Sequence, residues 1–515
     1  MLMADYLLAR ARAEGQRLAV VCGAHELSFA AFAERVARLA GALAAHGVQP
    51  GERVAYVGPN CHTLLEAYFG VPWAGAVLVP LHTRLTRPEL AVLLRDAEPR
   101  ALLADGAWIK RLPPESLAAI PLRVAVGGEG APPGWQAYEP WLAGAPPCDP
   151  VQRDPSAVAE MFYTSGSTGQ PRAAMLTGRN LVANAEGVRC VLGLGPDDVV
   201  LHALSLFHAN GWGFPHAAVM AGATQVVLRK FAPRAALALI AARRATVTYL
   251  VPTMARRLVE SRWSARRELA SLRWVVVGGA PSTPALAAAV EDRLGATFVG
   301  SYGLTETSPV LTLATLLPEM REWPREQRLR QQASAGRPTP AARLRVVDDA
   351  GQVVPADGCA VGEVQVSGDL VMAGYWRRPA ETAAACPDGW LRTGDLATVD
   401  PWGYLRIVAR KKELINCGGE KIAPAEVEHV LMAHPAVREA AVIGVPHAHW
   451  GQVPVALVVR RPGLDVDAAT LRHHCARSLA PFKIPRTVHF VARLPHTATG
   501  KLARGRISLP AARAN

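Results

Sequence analysis

Seven short apolar runs, rich in β-branched residues, recur through the first three hundred positions. They lie at residues 54–57, 76–79, 101–104, 224–228, 246–251, 274–277 and 297–300, separated by segments with helical spacing. Strands that read as continuous apolar runs are buried on both faces, and their alternation with helices requires crossover connections. The pattern therefore demands parallel sheet covered by helices. Ser28 is placed to cap a helix whose Phe32, Val36, Leu39 and Leu43 share one face, and Gly47 to end it. Between residues 343 and 407 shorter strands with Gly and Asp turns take over, a switch toward antiparallel structure. Residues 111–149 are richer in Pro and Gly and read as a connector or irregular sheet edge. Residues 317–332 are charged and proline-broken and read as a surface excursion.

At 515 residues the chain exceeds the roughly 250–300 that one core sustains. The expected fold is α/β. Residues 1–409 form a large multi-sheet N-terminal domain with parallel α/β layers and a distorted β subdomain, and residues 410–515 a small α+β C-terminal domain. No apolar stretch approaches the roughly 18 residues of a membrane span, and the N-terminus does not read as a secretory signal. The eight cysteines form no Cys-x-x-Cys pair, which argues against a metal cluster or disulfide scaffold and for a reducing cytoplasm.

The net charge of +13 is unevenly spread: from Arg410 onward sixteen Lys/Arg stand against seven Asp/Glu. No dense basic run with interleaved aromatics occurs, so a small basic domain facing a polyanionic small molecule explains the charge better than nucleic acid does. Of seven lysines, five (Lys411, Lys412, Lys421, Lys483 and Lys501) fall in this segment, in a chain that otherwise uses arginine. A compact ammonium is not interchangeable with a guanidinium.

Residues 163–172 read Tyr-Thr-Ser-Gly-Ser-Thr-Gly-Gln-Pro-Arg. Thr164, Ser165, Ser167 and Thr168 supply hydroxyls, Gly166 and Gly169 free the backbone to wrap an anion, and Arg172 adds charge. A strand pattern precedes the loop, where phosphate loops sit. It is not the Walker pattern. Taken alone, the stretch also fits a Ser/Thr/Gly-rich surface turn.

Further motifs follow in order: Gly278-Gly-Ala280, Tyr302-Gly-Leu-Thr-Glu306, Thr393-Gly-Asp395, Arg410-Lys-Lys-Glu413, Gly418-Gly-Glu420 and Thr499-Gly-Lys501. The ordered set, from about residue 27 to 504, resembles the adenylate-forming superfamily of acyl-CoA synthetases, peptide-synthetase adenylation domains and luciferases. The resemblance implies attack of a carboxylate on the α-phosphate of ATP, then displacement of AMP by a thiol such as that of CoA. It implies that residues 164–172 hold the β- and γ-phosphates, that Thr305 bonds the α-phosphate, and that Glu306 is the Mg2+ ligand. Gly278, Gly279 and Ala280 with Ser301, Tyr302 and Gly303 would wall the adenine slot, while Asp395 and Arg410 would reach the ribose. Lys501 would bridge carboxylate and ATP from a mobile lid hinged at Lys412, with Gly418 and Gly419 facing the site for thioester formation.

Phe207-His-Ala-Asn-Gly-Trp212 resembles the fatty acyl branch, which puts His208 beside the carboxylate and Trp212 at the acyl tunnel. Core packing is an alternative for both. Three positions depart from the family pattern. Arg172 stands for a lysine, Gly178 for a histidine, and Ala409 for an Asp or Gly. The resulting expectation is a cytoplasmic, AMP-forming carboxylate–CoA ligase acting on a medium- or long-chain fatty acid. Two alternatives stay open: an acyl-AMP ligase that loads a carrier protein, and a weakened adenylate-binding regulatory protein. A homodimer is compatible with the sequence, which does not specify the oligomeric state.

Overall fold

The computed structural model describes residues 1–127, 130–165, 171–261, 263, 266–418, 420–496, 502, 504–507 and 509. The chain divides into two compact units, one of Met1–Arg343 and Val366–Leu391, the other of Leu344–Gln365 and Arg392–Asn515.

The first unit holds two large sheets. In the nine-stranded sheet Leu18–Cys22, Thr224–Val227, Val199–His202, Val247–Leu250, Trp274–Val277 and Thr297–Tyr302 lie side by side. All of these neighbours are parallel, and the sheet is finished at both edges by short antiparallel strands. In the eight-stranded sheet Val77–Leu81, Arg53–Val57, Ala101–Asp105 and Leu122–Val126 are parallel neighbours. Val158–Ser165 joins Val77–Leu81 in parallel and pairs antiparallel with Pro171–Thr177 on its other side. The apolar runs predicted from the sequence are these strands, buried on both faces because helices cover them.

Helix Phe29–Ala45 forms as its spacing predicts. Ser28 Oγ accepts from the Ala31 N–H at 3.2 Å, Phe32, Val36, Leu39 and Leu43 are fully buried, and Gly47 follows at φ +77°. The 111–149 stretch supplies strands Leu122–Val126 and Gln136–Ala137 at one sheet edge. The 317–332 stretch differs from its reading: Arg325–Gln332 is a helix that buries Leu329, Gln331 and Gln332, and Leu329 packs into the core with Leu294 and Phe298. Its charges mark only the outward face.

The second unit holds a four-stranded sheet of Arg343–Val347, Gly362–Ser367, Leu391–Val399 and Leu405–Arg410. Its last two strands are antiparallel, the switch foreseen for this region. A five-stranded sheet follows, built on the long antiparallel pair Val437–His447 and Gly451–Arg460. Helices Pro424–Ala433 and Ala468–Ala476 bury Val427, Leu431 and Leu471 in a core with Val442 and Val458. Among the described residues no helix is long and apolar enough to cross a membrane.

Candidate functional site

In the first unit the 278–280 and 301–303 motifs leave the carboxyl ends of two neighbouring parallel strands, where open α/β sheets bind ligands. Gly278, Gly279 and Ala280 leave Trp274–Val277, and Ser301 and Tyr302 end the adjacent strand, which pairs Val277 with Gly300. A Cβ on Gly278 would lie 3.1 Å from the Ser301 carbonyl oxygen, and one on Gly303 only 1.8 Å from that of Pro309. Gly278 thus lets the two segments close on each other, and Gly303 lets the chain fold back against Pro309. The expected adenine walls are therefore neighbours in space.

Thr305 and Glu306 fall in a single 3-10 turn, Thr305–Thr307. Ser308 ends the turn at φ +61°, and its Oγ donates to the Leu370 carbonyl at 2.7 Å. The Glu306 carbonyl accepts the Met372 N–H at 3.0 Å, and Glu306 Oε1 accepts from the Tyr375 hydroxyl at 2.9 Å. Both the backbone and the carboxylate of Glu306 are thus held by residues 372–375.

The strands on either side of the hydroxyl- and glycine-rich stretch pair with each other: Thr164 with Arg172 and Ser165 with Pro171, and Thr164 Oγ1 donates to the Arg172 carbonyl at 3.3 Å. Gly166, Ser167, Thr168 and Gly169 lie outside the described residues, as does the Ser165 side chain. The Arg172 guanidinium lies over the Tyr375 ring, 4.3 Å from its centroid, and Nη1 bonds Glu381 at 3.0 Å. Gly178 begins helix Gly178–Leu192, and a Cβ there would meet Leu2 Cδ2 at 2.7 Å. The N-terminal segment thus fills the space that a larger residue at 178 would need.

The Phe207–Trp212 stretch follows strand Val199–His202. Asn60 donates to the Leu204 carbonyl at 2.7 Å and accepts the Leu206 N–H at 2.8 Å. The Tyr68 hydroxyl donates to the Leu206 carbonyl, and that of Tyr249 to the Gly211 carbonyl at 2.5 Å. Behind Tyr249, His202 is buried, with Nδ1 2.9 Å from the Tyr249 hydroxyl and Nε2 2.9 Å from Gln225 Oε1. Burial lowers the His202 pKa to about 4 and keeps the ring neutral. Gln225 Nε2 is buried with no partner among the described residues. Turning that amide over gives one consistent chain: Gln225 to His202, His202 to Tyr249, Tyr249 to Gly211. Asn184, also buried, donates to the Gly213 carbonyl at 3.3 Å and accepts the Val310 N–H at 3.2 Å. His208 is half-buried in the bend before helix Ala209–Ala221, and the side chain of Trp212 lies outside the described atoms.

In the second unit Asp395 is 3% exposed and stands opposite Arg410 across an antiparallel pair, with Nε 2.9 Å from Oδ1. Ala409 is buried one residue before Arg410. Lys411 bonds Glu363 and Asp349 at 3.3 and 3.2 Å, and Lys412 occupies the 3-10 turn Lys411–Glu413. Gly418 adopts φ +62°, donates its N–H to the Trp450 carbonyl at 2.8 Å, and would place a Cβ 2.7 Å from the Trp450 ring. Gly419 and Lys501 lie outside the described residues. Three positions beyond Lys501, Arg504 bonds both oxygens of buried Glu428 and reaches Glu413 at 3.0 Å.

Sequence reasoning missed Asn60, Asn184, Tyr249, Tyr375 and Arg504, which hold motif residues or the segments flanking them from elsewhere in the chain. Only the position of Arg504, three residues after a motif lysine, offered a local signal. Among the described residues no cluster of three or more His, Cys, Asp or Glu side chains is arranged to hold a metal ion. Any divalent ion at Glu306 would take its other ligands from a nucleotide and water.

The AMP-binding enzyme family model matches residues 7–376, and the AMP-binding enzyme C-terminal domain matches residues 426–501. A feruloyl-CoA synthase from Amycolatopsis is 39% identical over 97% of this chain and 96% of its own length. A long-chain-fatty-acid–CoA ligase from Thermus thermophilus is 38% identical over 93% of this chain and 89% of its own. The ATP-bound crystal structure of MatB from Rhodopseudomonas palustris superposes with a TM-score of 0.86 at 31% identity, covering 98% of each chain.

Proposed function

We propose that this chain, which belongs to the AMP-binding enzyme family and is an AMP-forming acid–thiol ligase, joins a medium- or long-chain apolar carboxylic acid to CoA in the cytoplasm. In the first half-reaction a carboxylate oxygen bonds the α-phosphorus of ATP and the bond to pyrophosphate breaks. In the second the CoA thiolate attacks the acyl carbon and AMP leaves with the electron pair. The first step gathers anions, so its chief requirement is preorganised positive and hydrogen-bonding groups.

Residues 164–172 take the β- and γ-phosphates and Thr305 bonds the α-phosphate. Glu306 suits Mg2+, because one carboxylate with phosphate oxygens is the usual way proteins hold this ion. When bound, Mg2+ neutralises phosphate charge. Tyr302 stacks on adenine, Asp395 and Arg410 bind the ribose, and Lys501 bridges the carboxylate to the α-phosphate. Residues 410–515 move about Lys412 between half-reactions, and Gly418 and Gly419 serve thioester formation. His208 orients the substrate carboxylate and Trp212 lines the acyl tunnel.

The observation that carries the acyl reading is the apolar, buried frame beside His208. Leu204, Leu206, Phe207 and Phe214, which flank His208 in the chain, are buried and apolar and bring no cation to pair with a second carboxylate. An arylpropenoic acid is the second reading, favoured by similarity to the feruloyl-CoA synthase. Pyrophosphate release across a panel of fatty, aryl and dicarboxylic acids, with and without CoA, tests both. Turnover with aliphatic acids only when CoA is present supports the first. Preference for hydroxycinnamates supports the second, and a stall after one equivalent despite CoA points to a carrier-protein acceptor.

A further inference from the structure

We infer that Tyr375, braced by Arg172, is a positioning residue that aims the Glu306 carboxylate at the metal–nucleotide complex. This rests on the reading of Glu306 as the Mg2+ ligand. Tyr375 is 5% exposed, and its hydroxyl donates to Glu306 Oε1 at 2.9 Å. Occupying Oε1 in this way fixes the carboxylate plane and leaves Oε2 to face a cation.

The phenol is itself fixed. Its backbone N–H donates to Thr382 Oγ1 at 2.9 Å, and Tyr375 pairs with Ala174 across a short antiparallel bridge. Arg172 lies two residues before Ala174, on the same face and diagonal to Tyr375. Its guanidinium covers the ring at 4.3 Å while Nη1 bonds Glu381 at 3.0 Å, and the side chain is 19% exposed. A planar guanidinium lies flat on a ring and bonds a carboxylate at its edge, whereas an ammonium offers only a point charge. The arginine that replaces the family lysine at 172 thus braces the Tyr375–Glu306 pair.

The test is the Mg2+ dependence of nucleotide binding, measured by calorimetry with a non-cleavable ATP analogue, alongside pyrophosphate exchange. Tyr375→Phe keeps the ring and removes only the donor. It should raise the Mg2+ concentration for half-maximal binding about tenfold, as loss of a charged hydrogen bond would. Binding of the analogue in EDTA should stay unchanged. Arg172→Lys, which keeps the charge, should show a smaller shift of the same sign. A Tyr375→Phe or Arg172→Lys protein that folds and keeps the wild-type Mg2+ dependence overturns the inference. Glu306→Gln separates the two levels: if it leaves Mg2+ dependence intact, the reading of Glu306 fails. If it abolishes that dependence while Tyr375→Phe does not alter it, only the positioning role fails.

Discussion

Asp395 and Arg410 face each other from neighbouring antiparallel strands, with the guanidinium Nε 2.9 Å from the carboxylate Oδ1. The aspartate is buried, its N–H bonds Thr393 Oγ1 at 3.1 Å, and Gly394 makes the preceding bend at φ +70°. Its carboxylate is therefore set before any ligand arrives, which lowers the ordering cost of binding.

Asp395→Asn keeps the volume and removes the charge. With Asp395 holding the ribose hydroxyls, KM for ATP should rise about tenfold or more, and discrimination between ATP and 2′-deoxy-ATP should shrink. Steady-state kinetics with both nucleotides measure this. An unchanged discrimination ratio would remove Asp395 from the ribose.

Arg504 ties the segment after Lys501 to Glu428 on helix Pro424–Ala433 and to Glu413 beside the proposed hinge. Arg504→Met leaves Glu428, 7% exposed, without its cation, a loss of about 3 kcal/mol. The melting temperature should fall, and, with Lys501 proposed to act in adenylation, that half-reaction should slow at least tenfold. Thioester formation from preformed acyl-adenylate should be largely kept. Equal loss in both half-reactions would make Arg504 a purely structural residue.

Gly418 carries the opposite prediction. An alanine at φ +62° costs about 1–2 kcal/mol, and its Cβ would lie 2.7 Å from the Trp450 ring. Gly418→Ala should slow thioester formation while pyrophosphate exchange persists. Adding Trp450→Ala should restore part of the rate by removing the contact. A variant impaired only in exchange would contradict the proposed role of this turn.

Burial lowers His202 to about 4 from its ordinary value of 6.5. In that window the unfolded chain binds a proton that the folded chain refuses, so stability rises with pH. The His202 contribution is present above about pH 6.5 and is lost as pH falls toward 4, by up to about 3 kcal/mol. Denaturant titrations at pH 7.5 and 4.5 should show a smaller acid loss for His202→Gln than for wild type. Equal losses would show that His202 titrates as freely as it does in the unfolded chain.

The parallel strands were legible because each is an apolar run buried on both faces. That they divide into two sheets was not, because nothing within Ala101–Asp105 or Trp274–Val277 tells which neighbour it will bond. Motif residues such as Glu306 and Asp395 announce themselves by local spacing. Tyr375 does not, because its link to Glu306 spans 69 positions and depends on a strand pairing with Ala174. The helix Arg325–Gln332 was hidden by its charged residues, since only Leu329 marks an apolar face and the buried Gln331 and Gln332 are polar.

Carboxylate-dependent adenylation is the step proposed for Glu306 and Lys501. Its most direct test is ATP–pyrophosphate exchange with a medium- or long-chain fatty acid in Mg2+, comparing wild type with Lys501→Ala. Acid-dependent exchange is expected in the wild type, with a loss of at least a hundredfold in the variant, the scale of removing a charge-stabilising group. Exchange that needs no acid, or that survives Lys501→Ala at the wild-type rate, would rule out these roles.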